Sequence, residues 1–276
     1  MDALRRFLAW QIGARWVPGP VACPFANNSW LLAQPGMSGA TGNVYVGLHE
    51  FEDMAFVLHF LRSGDLFVDV GANIGSYTVL AAAGVGAESI AFEPGETAFS
   101  WLKRNIRLNG ITDLVVSKQK AVGAISGYGL LTRDGDCVNF IVTDSASSVQ
   151  ADVVAITTLD ESLAERTPLM IKLDVEGYET EVLKGSINTL ADPDLKCILI
   201  ELNGSGRRYG YCDADIRHQL MKSGFSEYIY FPFERKILPK NNSRYRSDNA
   251  LFIRDQIFVE ARLLNANPIA IQGIQI

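Results

Sequence analysis

The densest chemistry in the sequence lies in Met170-Ile-Lys-Leu-Asp-Val-Glu-Gly-Tyr-Glu179, where Asp174, Glu176 and Glu179 crowd the end of an apolar run. Carboxylates placed together can accept a proton or hold a hard cation through oxygen. Lys172 stands inside the run. A lysine in a parallel strand buried on both faces needs a partner, and the two-residue period puts it on the face of Asp174. Lys172 is therefore expected to pair with Asp174, or with Glu201 at the end of the neighbouring run Cys197–Glu201. Its role is either structural or the positioning of a substrate oxygen.

A second signal is Phe67-Val-Asp-Val-Gly-Ala-Asn-Ile-Gly-Ser76, a strand, a glycine turn and a helix start. A dinucleotide fingerprint needs glycines at offsets 0, 2 and 5. Here Gly71, Asn73 and Ser76 occupy them, so the match fails twice, and no Gly-Lys-Ser/Thr follows to make a P-loop. The spacing Asp69, Gly71, Asn73, Gly75 fits instead the turn of Rossmann-like enzymes that bind S-adenosylmethionine (SAM). That ligand has no pyrophosphate to cradle. It needs close backbone approach, which Gly71 and Gly75 allow, and an acid near its amino group. Glu93, in Ile90-Ala-Phe-Glu-Pro94, ends the next apolar run and can accept both ribose hydroxyls.

These residues need a scaffold, and the alternation of strand-length apolar runs with helix-period segments from about residue 43 predicts one: an α/β fold with a mostly parallel seven-stranded sheet and helices on both faces. Strands are expected at 66–70, 89–93, 114–121, 169–174, 197–201, 226–231 and 247–254. Helices are expected at 49–62, after Gly75, at 96–109, at 178–190, and from an Asp213 N-cap to Gly224. Residues 123–158 read as a β-rich insertion between strands three and four. Residues 1–42 form a leader, with a short amphipathic helix over 1–17 and then a proline-rich stretch. That helix is expected to pack on the main domain, the alternative being a membrane-surface anchor. Residues 43–256 form the main domain, and 257–276 a tail packed against it.

Of 276 residues 48% are hydrophobic, enough for a sizeable core. The net charge of −6 argues against a chain that works by gripping nucleic acid. The acidity is local: residues 160–201 carry ten acids against four bases, whereas 202–276 carry eleven bases against seven acids. The basic cluster includes Arg207, Arg208, Arg235, Lys236, Lys240, Arg244 and Arg246, and leaves open an anionic acceptor. Four cysteines with no C-x-x-C spacing exclude a zinc ribbon and point to reduced thiols of a cytoplasmic protein. No signal peptide and no membrane span are expected.

Asp69-Val-Gly-Ala-Asn-Ile-Gly75, Ala91-Phe-Glu-Pro94 and Ile171-Lys-Leu-Asp-Val-Glu-Gly-Tyr-Glu-Thr-Glu-Val-Leu-Lys-Gly185 together resemble the FkbM-type SAM-dependent methyltransferases. Supporting pieces are Glu50, Arg104-Asn105, Leu108-Asn109-Gly110, Ala121-Val122-Gly123, Thr158-Leu159-Asp160 and Asp248-Asn249-Ala-Leu-Phe252. The resemblance covers about residues 43–254. Gly95-Glu96 departs from the family's usual polar residue after Pro94, and Ser145–Ser148 matches its serine segment only loosely.

The resemblance implies a class I methyltransferase fold and O-methylation of a sugar, glycan or antibiotic-like natural product. It implies a SAM site at Glu50, Asp69, Gly71, Ala72, Asn73, Gly75, Glu93, Pro94, Ala121, Val122 and Asp174. A hydroxyl acceptor needs a base or a metal. Asp174 is the first choice, with Glu176 and Glu201, and the three together could hold Mg²⁺. Lys172 and His49 are further catalytic candidates. Arg207, Arg208 and Tyr209 follow strand five, where a substrate loop belongs, and could hold an anionic group. Rival readings are an N-methyltransferase acting on a small molecule or protein, and a catalytically silent interaction module.

Overall fold

Five apolar runs, each closed by an acid, lysine or glycine at its carboxyl end, build the centre of the sheet. In the computed structural model, which describes residues 2–16, 19–133, 139–142, 150–240 and 247–276, these are β1 (Leu66–Val70), β2 (Glu88–Phe92), β3 (Val115–Lys118), β4 (Met170–Leu173) and β5 (Cys197–Glu201). Continuous apolar runs suit them because they are parallel and covered on both faces. β6 (Ser226–Phe231), β7 (Lys236–Pro239) and β8 (Asn249–Ile253) complete the sheet in the order β7-β6-β8-β5-β4-β1-β2-β3. β8 runs antiparallel to both β5 and β6. The order reverses between β1 and β4, and ligands of such sheets bind outside the strand ends at that crevice.

The pleat sorts the side chains. Phe67, Ala91, Met170 and Leu199 face helices α3 (Phe51–Phe60), α5 (Glu96–Leu108) and α10 (Gln256–Leu264). Val68, Val70, Ile171 and Ile198 face α7 (Glu179–Lys184), α8 (Ile187–Ala191) and α9 (Asp213–Lys222). By the same alternation Asp69 and Lys172 lie on the α3 side. The sheet thus has the expected Rossmann-like form with helices on both faces, and one strand more than the seven expected.

The eighth strand, β7, pairs with β6 across a short turn. Preceded by Pro232 and ending at Pro239, the run is too short to read as a strand; only Ile237 of its four residues is buried. The helix expected over 178–190 is two helices, α7 and α8. Gly185 breaks it because its backbone lies against the Gly123 carbonyl, where a Cβ would come within 2.1 Å of oxygen. The N-cap of α9 is Cys212, without a side-chain cap bond, and Asp213 is the first helical residue. The strand expected over 114–121 ends at Lys118. Ala121–Val122 cross into a separate sheet with Ala151–Thr157, Gly127–Thr132 and Ile141–Val142, the β-rich insertion between β3 and β4. Ser145–Ser148, Arg244 and Arg246 lie outside the described residues.

Residues 1–42 contain α1 (Asp2–Trp16), a hairpin of Val21–Pro24 and Trp30–Ala33, and the start of α2 (Ser38–Val46). Buried Asn105 ties this hairpin to the glycine turn: its Oδ1 accepts from Leu32 N and its Nδ2 donates to Ile74 O, each at 2.8 Å. The C-terminal residues form α10 and a hairpin of Ala270–Ile271 with Ile274–Gln275. Ile269, Ile271 and Ile276 are buried there.

Candidate functional site

At the carboxyl ends of β1, β2 and β4 the strands part around a cavity of about 320 Å³. The turn after β1 shapes its floor. Gly71 has φ +83°, and a Cβ on it would sit 1.7 Å from the Asp174 carbonyl, so only glycine lets the ends of β1 and β4 approach. The amides of Gly71 and Ala72 both donate to Phe92 O. Gly75, at φ +92°, is packed under Leu102 and caps α4 (Ser76–Val79) rather than lining the cavity.

Each acid of this turn has a defined environment. Glu93 accepts from Asn73 N and Gly95 N, one on each carboxylate oxygen, both at 2.8 Å. Burial nevertheless pushes its carboxyl up to about 7. Asp69 accepts from the Thr78 hydroxyl at 2.7 Å on one oxygen, and its other buried oxygen has no partner among the described residues. Burial raises its pKa more than Lys172 and Thr78 lower it. Glu50 is held by two donors, Tyr77 Oη at 2.8 Å and Asn249 Nδ2 at 2.7 Å.

Lys172 makes one of the two pairings expected from its place in the strand. Its Nζ lies 2.7 Å from Asp174 Oδ2 and 4.6 Å from the centre of the Tyr77 ring. Burial works against its charge, but Asp174, Glu50 and Asp69 outweigh it and raise its pKa above the usual lysine value.

Beyond Asp174 the chain turns sharply. Glu176 takes φ +55° and Gly177 φ +97°, and a Cβ on Gly177 would meet the Ser205 carbonyl at 2.7 Å. The buried Glu179 carboxylate accepts from Val175 N and Gly177 N and so fixes this turn. The result brings oxygens of Asp174, Glu176 and Glu201 within 4.8 Å of one another. Like charges so close cannot all ionise freely. Burial, then Asp174, pushes Glu176 up to about 7. Burial, then Asp174 and Glu176, raises Glu201 further, and its buried Oε2 has no partner among the described residues.

Glu50, Asp69, Gly71, Ala72, Asn73, Glu93, Pro94, Ala121, Val122, Lys172, Asp174, Glu176 and Glu201 all line this same cavity. His49 lies at its exposed rim, its ring against Gly42. Arg207, Arg208 and Tyr209 do not line it. They form a short helical turn behind it, where Arg208 stacks on Phe140 at 4.3 Å and the Tyr209 hydroxyl donates to Ile141 O at 2.7 Å. Phe140 and Ile141 themselves face the cavity.

Several lining residues carried no sequence signal. Met37, Gly39 and Ala40 come from the segment read as a leader, and Tyr77 from the helix after the glycine turn. Asn249 does not line the cavity but holds Glu50, which does; it stands in the Asp248-Asn249-Ala-Leu-Phe252 piece, and its contact with Glu50 spans 199 residues. Among the described residues no helix is long and apolar enough to cross a membrane.

Comparison with known proteins bears on what this cavity does. Residues 69–245 match the methyltransferase FkbM domain. The chain is 27% identical over 166 residues to the hexuronic acid methyltransferase AglP of Haloferax volcanii, covering 56% of this chain and 62% of that protein. It is 25% identical over 177 residues to the ribosomal protein L11 methyltransferase of Exiguobacterium sp., covering 61% of this chain and 55% of that protein. The chain thus spans less than two thirds of the length of these curated relatives. Among solved structures it is similar to methyltransferase FkbM from Methylobacillus flagellatus KT, with a TM-score of 0.48 and 16% identity, over 91% of this chain and 60% of that one. Because the domain match runs from the acid at the end of β1 to the approach to β8, well over half of the chain, the protein belongs to the FkbM methyltransferase family.

Proposed function

We propose that the protein O-methylates a hydroxyl of a sugar, glycan or natural-product acceptor in the cavity at the ends of β1, β2 and β4. The family implies SAM as methyl donor, and the residues present fit it. Asp69 keeps a buried carboxylate oxygen without a partner among the described residues, suited to an amino group. Glu93 is fixed by two backbone amides and can still accept from ribose hydroxyls. Glu50, fixed by Tyr77 and Asn249, would hold the methionine end. SAM supplies a methyl group on a sulfonium.

The chain's task is to hold the acceptor oxygen in line and to take its proton. The observation that carries the reading is the trio Asp174, Glu176 and Glu201, whose oxygens lie within 4.8 Å. Burial and the neighbouring carboxylates favour proton uptake at Glu176 and Glu201. Lys172 holds Asp174 in place, so Asp174 is the member assigned to meet the hydroxyl. The same oxygen-only set is of the kind that binds Mg²⁺, which would offer a second route to the same product. Restored turnover on adding Mg²⁺ to EDTA-treated protein would select that route.

A sugar-acid acceptor is supported by the 27% identical relative, whose name states a hexuronic acid. Calorimetry with SAM tests the reading. Binding that is weakened by Glu93→Ala in a folded protein supports the site, and absence of binding to the wild type overturns it.

A further inference from the structure

We infer that α1 is an interfacial helix that docks this methyltransferase onto an anionic lipid surface. Arg6, Trp10 and Ala14 are half-buried on the face turned to the domain. Arg6 Nε donates to Tyr45 O at 2.8 Å, and the Phe7 ring stands edge-on to Tyr45 at 5.1 Å. The opposite face is uncovered and carries four large apolar side chains. Leu4 is 64% exposed, Leu8 50%, Ile12 60% and Trp16 81%. At 100° per residue these four follow one another at steps of about 40°, making a stripe roughly 120° wide. Its centre lies opposite Arg6, Trp10 and Ala14. A surface helix of a globular protein turns its stripe inward; this one turns it outward.

The charges on the stripe select the partner. Arg5 and Arg15 fall within the same arc, both exposed, and no acid occurs between Ala3 and Trp16. An exposed apolar stripe laced with arginines, ending in a tryptophan, matches the interface of a bilayer carrying anionic headgroups. The aliphatic stems and the indole enter the acyl boundary while the guanidinium groups reach the phosphates. A protein partner would match this pattern only with its own acids around an apolar groove. α1 packs on α2 through Tyr45, and α2 contributes Gly39, Ala40 and Asn43 to the cavity wall. Docking through α1 therefore sets that wall close to the lipid surface.

Flotation of the full chain with vesicles tests the inference. The protein is expected to float with phosphatidylcholine vesicles containing phosphatidylglycerol, and less with phosphatidylcholine alone. Leu8→Asp with Ile12→Asp should weaken that binding about tenfold or more. Arg5→Gln with Arg15→Gln should abolish the preference for the anionic vesicles. These positions are exposed, so both variants should keep the wild-type melting temperature and SAM affinity. The inference is overturned if the wild type does not float, if it floats equally with both vesicles, or if the double-aspartate variant floats as the wild type does. It is also overturned if light scattering finds a dimer that Leu8→Asp with Ile12→Asp dissociates, because the stripe then serves a second copy.

Discussion

The side-chain amide of Asn249 bridges two acids, with Nδ2 2.7 Å from Glu50 Oε1 and 3.0 Å from Asp53 Oδ2. Asn249 begins β8 opposite Glu201 of β5, so one residue pair joins the Glu50 side of the cavity to the carboxylate trio. Burial, opposed by this amide, pushes Asp53 up to about 7. Asn249→Ala would leave both acids short of a donor, a loss of about 1–3 kcal/mol. We predict a SAM affinity weaker by about tenfold, read by calorimetry, with the chain still folded. Asn249→Asp, which adds a third acid, should be worse than alanine.

Asp174→Asn should lower turnover by about 10²–10⁴-fold, the usual contribution of a positioned base. SAM affinity should change only a few-fold. Single-turnover kinetics with a methyl-accepting sugar separates the two effects. Full turnover in this variant would remove Asp174 from the proton-accepting role.

The buried Glu93 gives the protein a pH signature. Its carboxyl rises from 4.5 to about 7 on folding. A raised carboxyl pKa means that the folded state holds a proton which the unfolded state releases earlier. Stability is therefore fully present below 4.5 and falls as pH rises toward about 7. Glu93→Gln should flatten the melting-temperature profile across that interval. Scans of both proteins between the two limits check this, and a parallel profile would show that Glu93 ionises normally.

Gly71→Ala is predicted to destabilise the chain by about 3 kcal/mol or more. The alanine would need φ +83° and would set a methyl 1.7 Å from Asp174 O, a backbone atom that cannot swing aside. Urea unfolding measures the loss. By contrast Gly110→Ala, at φ +65° with open space around the Cβ position, should cost only its backbone strain, about 1 kcal/mol.

What could be read in the sequence follows from how local each feature is. Asp69, Gly71, Asn73 and Glu93 sit in strand–turn units whose spacing is fixed by contiguous residues, and β1 and β5 fall on the expected residues. Lys172 was legible because a charge inside a parallel strand demands a partner, here Asp174. Tyr77 and Met37, which line the cavity, and Asn249, which holds Glu50, were not assigned to the site, because their places arise from pairings between distant segments. The same is true of the break between α7 and α8, which Gly185 owes to its contact with Gly123 O. β7 was missed because its short run, ending at Pro239, has one buried side chain and gains strand character only by pairing with β6.

The most direct test of the central claim follows a labelled methyl group. The purified protein, given SAM carrying a ¹³C methyl and a panel of uronic acids and neutral sugars, should produce a ¹³C resonance in the O-methyl region on one acceptor. The signal should vanish with Asp174→Asn while SAM binding persists. A label on nitrogen, or a signal undiminished in Asp174→Asn, would contradict the account.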